Sequence, residues 1–299
     1  MSFADGRSAR EAAEVARRAD VAIVFATQWC TEGADLWDLA LPGAQDALIS
    51  AVAAANANTI VVLETGNPVT MPWLARVAAV LEAWYPGQRG GEAIANVLFG
   101  RADATGRLPI TFPASEAELV RPRLPGFDAL LTAIVSGLRG YRLAVALRPF
   151  SVDYSEGSDV GYRRYAKQNI TPLFAFGHGL SYTRFRYGNF RLSGGSTLHA
   201  AFTVTNAGNR AGTDTPQVYL TKKFGAPEMR LIGWASVTLA PGASRNVSVT
   251  ADPRLLADFD TSAGGWLVRE GMYEASLGSA SDALQLRASA AVAGQAIRP

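Results

Sequence analysis

Cysteine and histidine are nearly missing from this chain: 299 residues hold one Cys, Cys30, and two His, His178 and His199. A lone cysteine excludes an intrachain disulfide, and these three residues are too few for a structural zinc site, which draws several Cys or His ligands. An excess of one charge sign is missing too. The 28 Lys and Arg are scattered and nearly balanced by 26 Asp and Glu, for a formal net charge of +2. No basic footprint for nucleic acid or an acidic membrane surface therefore stands out. No run of about 18 uncharged apolar residues suggests a membrane-spanning helix. The polar N-terminus "MSFADGRSAREAAEVARRAD" lacks the apolar core of a signal peptide. As it stands the chain reads as cytoplasmic, and as periplasmic or secreted if cut from a longer precursor.

What is present is a globular composition, 48% hydrophobic and 18% charged with 29 Gly and 15 Pro, long enough for two domains of about 150 residues each. Residues 1–115 alternate helical and strand signals. "AREAAEVARRA" sets Ala12, Ala13, Val15 and Ala16 among charges as one helix face, and "VAIVFAT" follows as a continuous apolar run. The pairing recurs in "GAQDALISAVAAAN" with "TIVVLETG". A short strand, "VAAVLEAWYPG", then precedes the helix "GGEAIANVLFG" and a last extended piece, "GRLPITFP". Continuous apolar strands between helices predict a mostly parallel sheet sandwiched by helices, with functional loops at the strand C-terminal ends. Two such loops are Thr27–Asp38 and "TGNPV".

Residues 116–184, rich in Pro, Gly and aromatics, read as a connecting region with an apolar excursion from Phe127 to Phe150 that packs on both domains. From 185 to 299 the period switches to two. Short alternating segments such as "LHAAFTVTNAGN" and "RLIGWASVTLAPGAS", punctuated by Gly, Asn and Pro, predict an all-β sandwich of immunoglobulin or fibronectin type III-like size.

The pattern Ser/Thr-Glu-Gly-small-Asp occurs twice, at Thr31–Asp35 and at Ser155–Asp159. Glu32 follows an apolar strand closely, with Trp29 and Trp37 nearby as flat apolar surfaces that could pack in the core or stack on a sugar ring. Partial burial against an indole would raise its pKa toward the range a general acid needs. Glu156 reads as a structural carboxylate pairing with Arg163 or Arg164, and as the second choice for a proton donor. His178, between two glycines in "FGHGLSY", reads as a packing and hydrogen-bonding residue. Gly90-Gly91 reads as a helix cap, because the phosphate-cradling glycine patterns are lacking. The same lack argues against a flavin or nucleotide binder, which a parallel sheet alone could suggest.

The longer string changes the weight of Glu32. Glu32-Gly33-Ala34-Asp35 is followed by Leu39, Leu41-Pro42 and Gln45. This resembles the segment that carries the acid/base glutamate of glycoside hydrolase family 3 β-glucosidases. Further blocks match in order: "VVLETGNPVTMPW", "VLEAWYPGQRGGEAIANVLFGRADATGRLPITFP", "VGYRRY", "PLFAFGHGLSYTRF" and "RLIGWASVTLAPG". The resemblance covers that family's α/β sandwich and fibronectin type III-like domains. It implies a retaining hydrolase of terminal β-linked glucose or a similar sugar, on a glycoside or short β-glucan, with Glu32 as general acid/base and Trp29 and Asp35 toward the substrate. No cofactor or metal is implied. The family's nucleophile is an aspartate on a preceding (β/α)8 barrel, a fold of about 250 residues, whereas some 20 residues precede the first strand here. The second carboxyl is thus expected from another chain, from a deleted segment or not at all, and a barrel-bearing partner or self-association through the face a barrel would cover are the partners to expect. One departure is Leu36, where the family commonly has Arg. The alternative is a non-catalytic carbohydrate-binding or scaffolding module of the same fold.

Overall fold

The computed structural model describes residues 1–32, 36, 38–122, 136–137 and 151–297. Asp35, Trp37 and nearly all of the apolar excursion expected at 127–150 lie outside the described residues.

Helix α1 (Ala9–Ala16) begins at Ser8, whose side chain accepts the N–H of Glu11, a helix-capping contact. Strand β1 (Ala22–Thr27) leads to α2 (Gln45–Ala55), β2 (Thr59–Glu64), β3 (Ala79–Glu82) and α3 (Gly90–Leu98). The three strands form a parallel sheet in the order β1-β2-β3, with Phe25 beside Val62 and Val62 beside Leu81. α1 packs on α2, which lies against β1 and β2. Ala26, Ile49, Val61, Leu63, Trp73 and Phe112 make the core of this half. At the start of α3, a Cβ on Gly90 would stand 2.5 Å from the Pro86 ring, so glycine is what permits this helix entry.

β2 is buried along both faces, as a central parallel strand should be. β1 is not. Ala22 and Ala26 face the core, whereas Ile23 and Phe25 are 42% and 52% exposed, with Val21 extending the same row. Among the described residues nothing covers that face of β1 or pairs with its outer edge.

The extended piece expected at "GRLPITFP" does not join the sheet. Leu108 and Phe112 instead bond the segment 173–178, through Leu108 N–H to His178 O and a single bridge between Phe112 and Phe174. Pro109 and Pro113 remove two backbone donors there, which limits any longer ladder.

Beyond the connecting region, α4 (Tyr162–Gln168) packs on β7 (Ala226–Trp234) of an all-β half. One sheet there runs β8-β5-β4 (Ser244–Thr250, His199–Asn206, Phe185–Ser193). The other runs β10-β9-β6-β7, with β10 at Leu284–Val292, β9 at Gly271–Gly278 and β6 at Gln217–Lys223. Phe202 and Val204 of one sheet share a core with Val218, Leu220, Ala275 and Leu277 of the other. Two carboxylates join the halves. Asp103 accepts from Ser181 Oγ at 2.7 Å, Tyr182 N–H at 2.9 Å and Thr213 N–H at 3.2 Å. Asp214 accepts from Arg107 at 3.1 Å and from the Tyr187 hydroxyl at 2.6 Å. Among the described residues, no helix is long and apolar enough to cross a membrane.

Candidate active site

The loops leaving β1, β2 and β3 meet at one end of the parallel sheet, where an α/β fold places its ligands. The first loop is held at both ends by one side chain. Gln45, at the first turn of α2, accepts the N–H of Thr27 at 2.8 Å and donates to Thr27 O at 2.8 Å and Pro42 O at 2.9 Å. Leu41 is buried in the core, and Leu39 N–H reaches Glu116 Oε1 at 2.8 Å. The Leu, Leu-Pro and Gln positions after Glu32 are therefore anchors that set where the loop departs and returns.

Its outgoing limb is tied to the other two loops. The Tyr85 hydroxyl donates to Gln28 O at 2.7 Å and accepts Cys30 N–H at 3.1 Å, while the Asn67 amide approaches Cys30 Sγ at 3.4 Å. A Cβ on Gly66 would lie 2.8 Å from the Tyr85 hydroxyl, so the glycine of "TGNPV" is what lets Tyr85 reach across. Two residues beyond Cys30, Glu32 is exposed to solvent.

This placement corrects one expectation. Glu32 was expected to be partly buried against an indole, but it is exposed, and Trp29 is 80% exposed instead of packed beside it. The physical reason is that the Tyr85 and Asn67 ties hold Gln28 and Cys30, and the side chains of Trp29 and Glu32 are left facing solvent. Trp29 is no part of the core and presents a free aromatic face. Asp38 caps its own loop by accepting the N–H of Ala40 at 3.0 Å.

The second glutamate has a different partner from the one expected. Glu156 forms a bidentate pair with Arg121, at 2.8 and 2.5 Å, and the same guanidinium lies 4.7 Å from the Tyr154 ring centre. Arg163 instead reaches Glu228 at 3.2 Å and Asp159 at 3.9 Å, and Arg164 bonds the carbonyl of Glu118. The Arg121 hydrogen bonds hold the Glu156 carboxyl below its ordinary range, the opposite of what a proton donor requires. His178 packs its ring 5.2 Å from that of Phe174, and burial favours its neutral form.

Sequence reasoning missed Glu82, at the last position of β3. Burial pushes its carboxyl up from 4.5 to about 7. One oxygen accepts Trp84 N–H at 2.9 Å, and both lie 3.3–3.4 Å from Thr65 Oγ1, whose own proton goes to Asn67 O at 2.9 Å. A neutral carboxyl suits this arrangement, since its proton can be given to the Thr65 oxygen. The signal was a glutamate closing an apolar run against a tryptophan in "VAAVLEAWYPG". Among the described residues no group of three His, Cys, Asp or Glu is disposed to hold a metal ion.

A three-stranded parallel sheet with pinned C-terminal loops, joined to a β-sandwich, is the pairing found in one class of carbohydrate-active enzymes. Residues 4–182 match the glycosyl hydrolase family 3 C-terminal domain and residues 214–281 match a fibronectin type III-like domain. The chain belongs to glycoside hydrolase family 3. It is 41% identical to a beta-glucosidase of Rhizobium radiobacter over 94% of its own length and 34% of that relative's. It is 36% identical to thermostable beta-glucosidase B of Acetivibrio thermocellus, covering 94% of itself and 36% of the relative. Among solved structures it superposes on DesR, a beta-glucosidase from Streptomyces venezuelae in complex with D-glucose, with a TM-score of 0.83 and 39% identity. That match covers 95% of this chain and 35% of DesR. Beta-glucosidase 3B from Thermotoga neapolitana gives 0.81 at 30% identity, over 100% of this chain and 41% of that one. The chain thus spans about a third of the length of the curated relatives it matches.

Proposed function

We propose that this chain is the acid/base-bearing portion of a β-glucosidase-type hydrolase that removes terminal β-linked glucose or a similar sugar with retention. Glu32 protonates the leaving glycosidic oxygen and then draws the proton from the incoming water. The observation that carries this reading is an exposed glutamate on a loop clamped at both ends by Gln45, within the block that resembles the family's acid/base segment. Trp29 stacks on the sugar or its leaving group, and Asp35 contacts substrate hydroxyls. The second carboxyl of a retaining pair, about 5–5.5 Å away, comes from a barrel domain packed on this face, on the same polypeptide or on another. The same barrel surface supplies a low-dielectric wall over the exposed Glu32, so its packing completes both the pair and the acid's environment.

The test is release of nitrophenol from p-nitrophenyl β-glucoside by the chain combined with a barrel-bearing polypeptide. Glu32→Gln should lower turnover by about 10²–10⁴-fold, the span typical of general acid–base catalysis, and azide should rescue deglycosylation. Unchanged release in that variant removes Glu32 from the mechanism. The free Trp29 face favours a second reading, a module that binds carbohydrate without cleaving it. Calorimetric binding of cellobiose that is lost in Trp29→Ala, with no turnover under any combination, would select it.

A further inference from the structure

The turn that leaves β3 aims one hydroxyl at the Glu32 loop. Tyr85 is 53% exposed, so its ring adds little to the core. Its hydroxyl acts as donor and acceptor at once, giving its proton to Gln28 O at 2.7 Å and receiving Cys30 N–H at 3.1 Å. Those two groups flank Trp29, so a single oxygen holds the backbone on both sides of that residue. Gln28 N–H still bonds Glu64 O at 3.1 Å, in continuation of the ladder between β1 and β2, and the Tyr85 hydroxyl takes over at the next backbone groups. We propose that Tyr85 is the positioning residue of Glu32, fixing the loop so that the carboxyl meets the glycosidic oxygen. The inference rests on the reading of Glu32 as the acid/base.

Two features of the backbone serve this contact. Trp84, directly before Tyr85, has a φ of 53°, in the left-handed region that a bulky residue rarely enters. Such strain persists only where the surroundings over-determine it, and it clusters at functional sites. Here Glu82 Oε1 accepts Trp84 N–H at 2.9 Å and the Trp84 ring meets that of Phe112 edge-on at 6.1 Å, which together hold the turn that carries Tyr85 to the loop. Gly66 is the second feature, since a Cβ there would stand 2.8 Å from the Tyr85 hydroxyl and 3.0 Å from its ring. The segments after β2 and β3 are thus both shaped around one phenol. Glu32 lies two residues beyond Cys30, at most about 7 Å of extended chain, so freedom gained at Cys30 N–H passes directly to it. A misplacement of about 1 Å can lower a rate about a hundredfold.

The test is Tyr85→Phe, which deletes only the hydroxyl. Cys30 is the one thiol of the chain, so its reaction with Ellman's reagent reads the loop without any turnover. Labelling of the purified chain should quicken at least about fivefold, the population change that one lost hydrogen bond brings, with the urea midpoint checking that the change is local. In the chain combined with a barrel-bearing polypeptide, kcat/KM should be read on two aryl glucosides. On phenyl β-glucoside, whose leaving group needs a proton, it should fall at least about tenfold more than on 2,4-dinitrophenyl β-glucoside, whose leaving group does not. The same change made in Glu32→Gln should lower kcat/KM on phenyl β-glucoside less than about twofold further, because both residues act through one carboxyl. Equal losses on the two glucosides, a full further loss in Glu32→Gln, or unchanged Cys30 labelling overturns the inference while Glu32 keeps its role. Unaltered turnover in Glu32→Gln alone overturns the reading on which it rests.

Discussion

Replacing Glu82 by Gln should stabilise the protein at pH 8 and do almost nothing at pH 5. The wild-type carboxyl is raised from 4.5 to about 7 by burial at the end of β3. A group raised in the folded state lends its stability below its unfolded value of 4.5 and loses it as pH climbs through 7. Moving a carboxyl by about 2.5 pH units corresponds to roughly 3.5 kcal/mol at about 1.4 kcal/mol per unit. Residual solvent contact reduces this to about 2–3 kcal/mol at pH 8, and under about 1 kcal/mol remains at pH 5. Glutamine is the right probe. Its amide can donate to Thr65 Oγ1 and its oxygen can accept Trp84 N–H, so it copies the neutral acid's bonds without its titration. The assay is urea unfolding of both proteins from pH 5 to pH 8, read by tryptophan fluorescence. A mutant-minus-wild-type difference that stays flat across that range, or is negative at pH 8, would show that Glu82 is ionised and well solvated, and would refute the reasoning.

Three more expectations rest on single contacts. Gln45→Ala removes the clamp on the Glu32 loop and should cost about 1–3 kcal/mol at about 1 kcal/mol per lost hydrogen bond. Limited proteolysis should then cut between residues 28 and 42 faster than in wild type, and equal rates would deny the clamp. Gly66→Ala puts a methyl 2.8 Å from the Tyr85 hydroxyl and should cost about 1–3 kcal/mol by overpacking. Tyr85→Phe should relieve much of that loss, and additive effects of the two changes would argue against the contact. Phe25→Asp places a charge on the open apolar row of β1. It should lower self-association of the isolated chain in sedimentation at tens of micromolar, and a concentration dependence identical to wild type would clear that face.

The parallel sheet was legible because its strands are apolar runs of the right length, two of them closed by Gly or Pro. The sandwich was legible because its alternation has period two and its turns are chemically distinct. Both signals are local. The open face of β1 was not legible, because "VAIVFAT" reads the same whether or not something lies across Ile23 and Phe25. The piece "GRLPITFP" has the composition of a strand, but its two prolines leave too few donors for a ladder, and its partners lie some 60 residues on, at Phe174 and His178. Glu156 was paired in sequence with the nearest arginines, Arg163 and Arg164. The fold pairs it with Arg121, 35 residues earlier, across the connecting region. Gln45 could be read as part of a motif but not as a clamp, since the two carbonyls it bonds are 15 residues apart in the chain.

Glu32 and Glu82 stand near the same end of one sheet in opposite environments, and the contrast bears on how the proposed hydrolase works. Glu82 already has the raised pKa of an acid, but it is enclosed by Thr65 and Trp84 and faces a cavity away from the Glu32 loop. Glu32 has the access but not the burial, being exposed to solvent. Moving Glu82's environment to Glu32 needs an apolar surface laid over the loop, and that surface must also bring a second carboxyl within about 5.5 Å. On this reading the two requirements of catalysis are met by one barrel surface. The pH–rate profile of the assembled enzyme should therefore carry an alkaline limb above the ordinary carboxylate range, and Glu32→Gln should remove that limb.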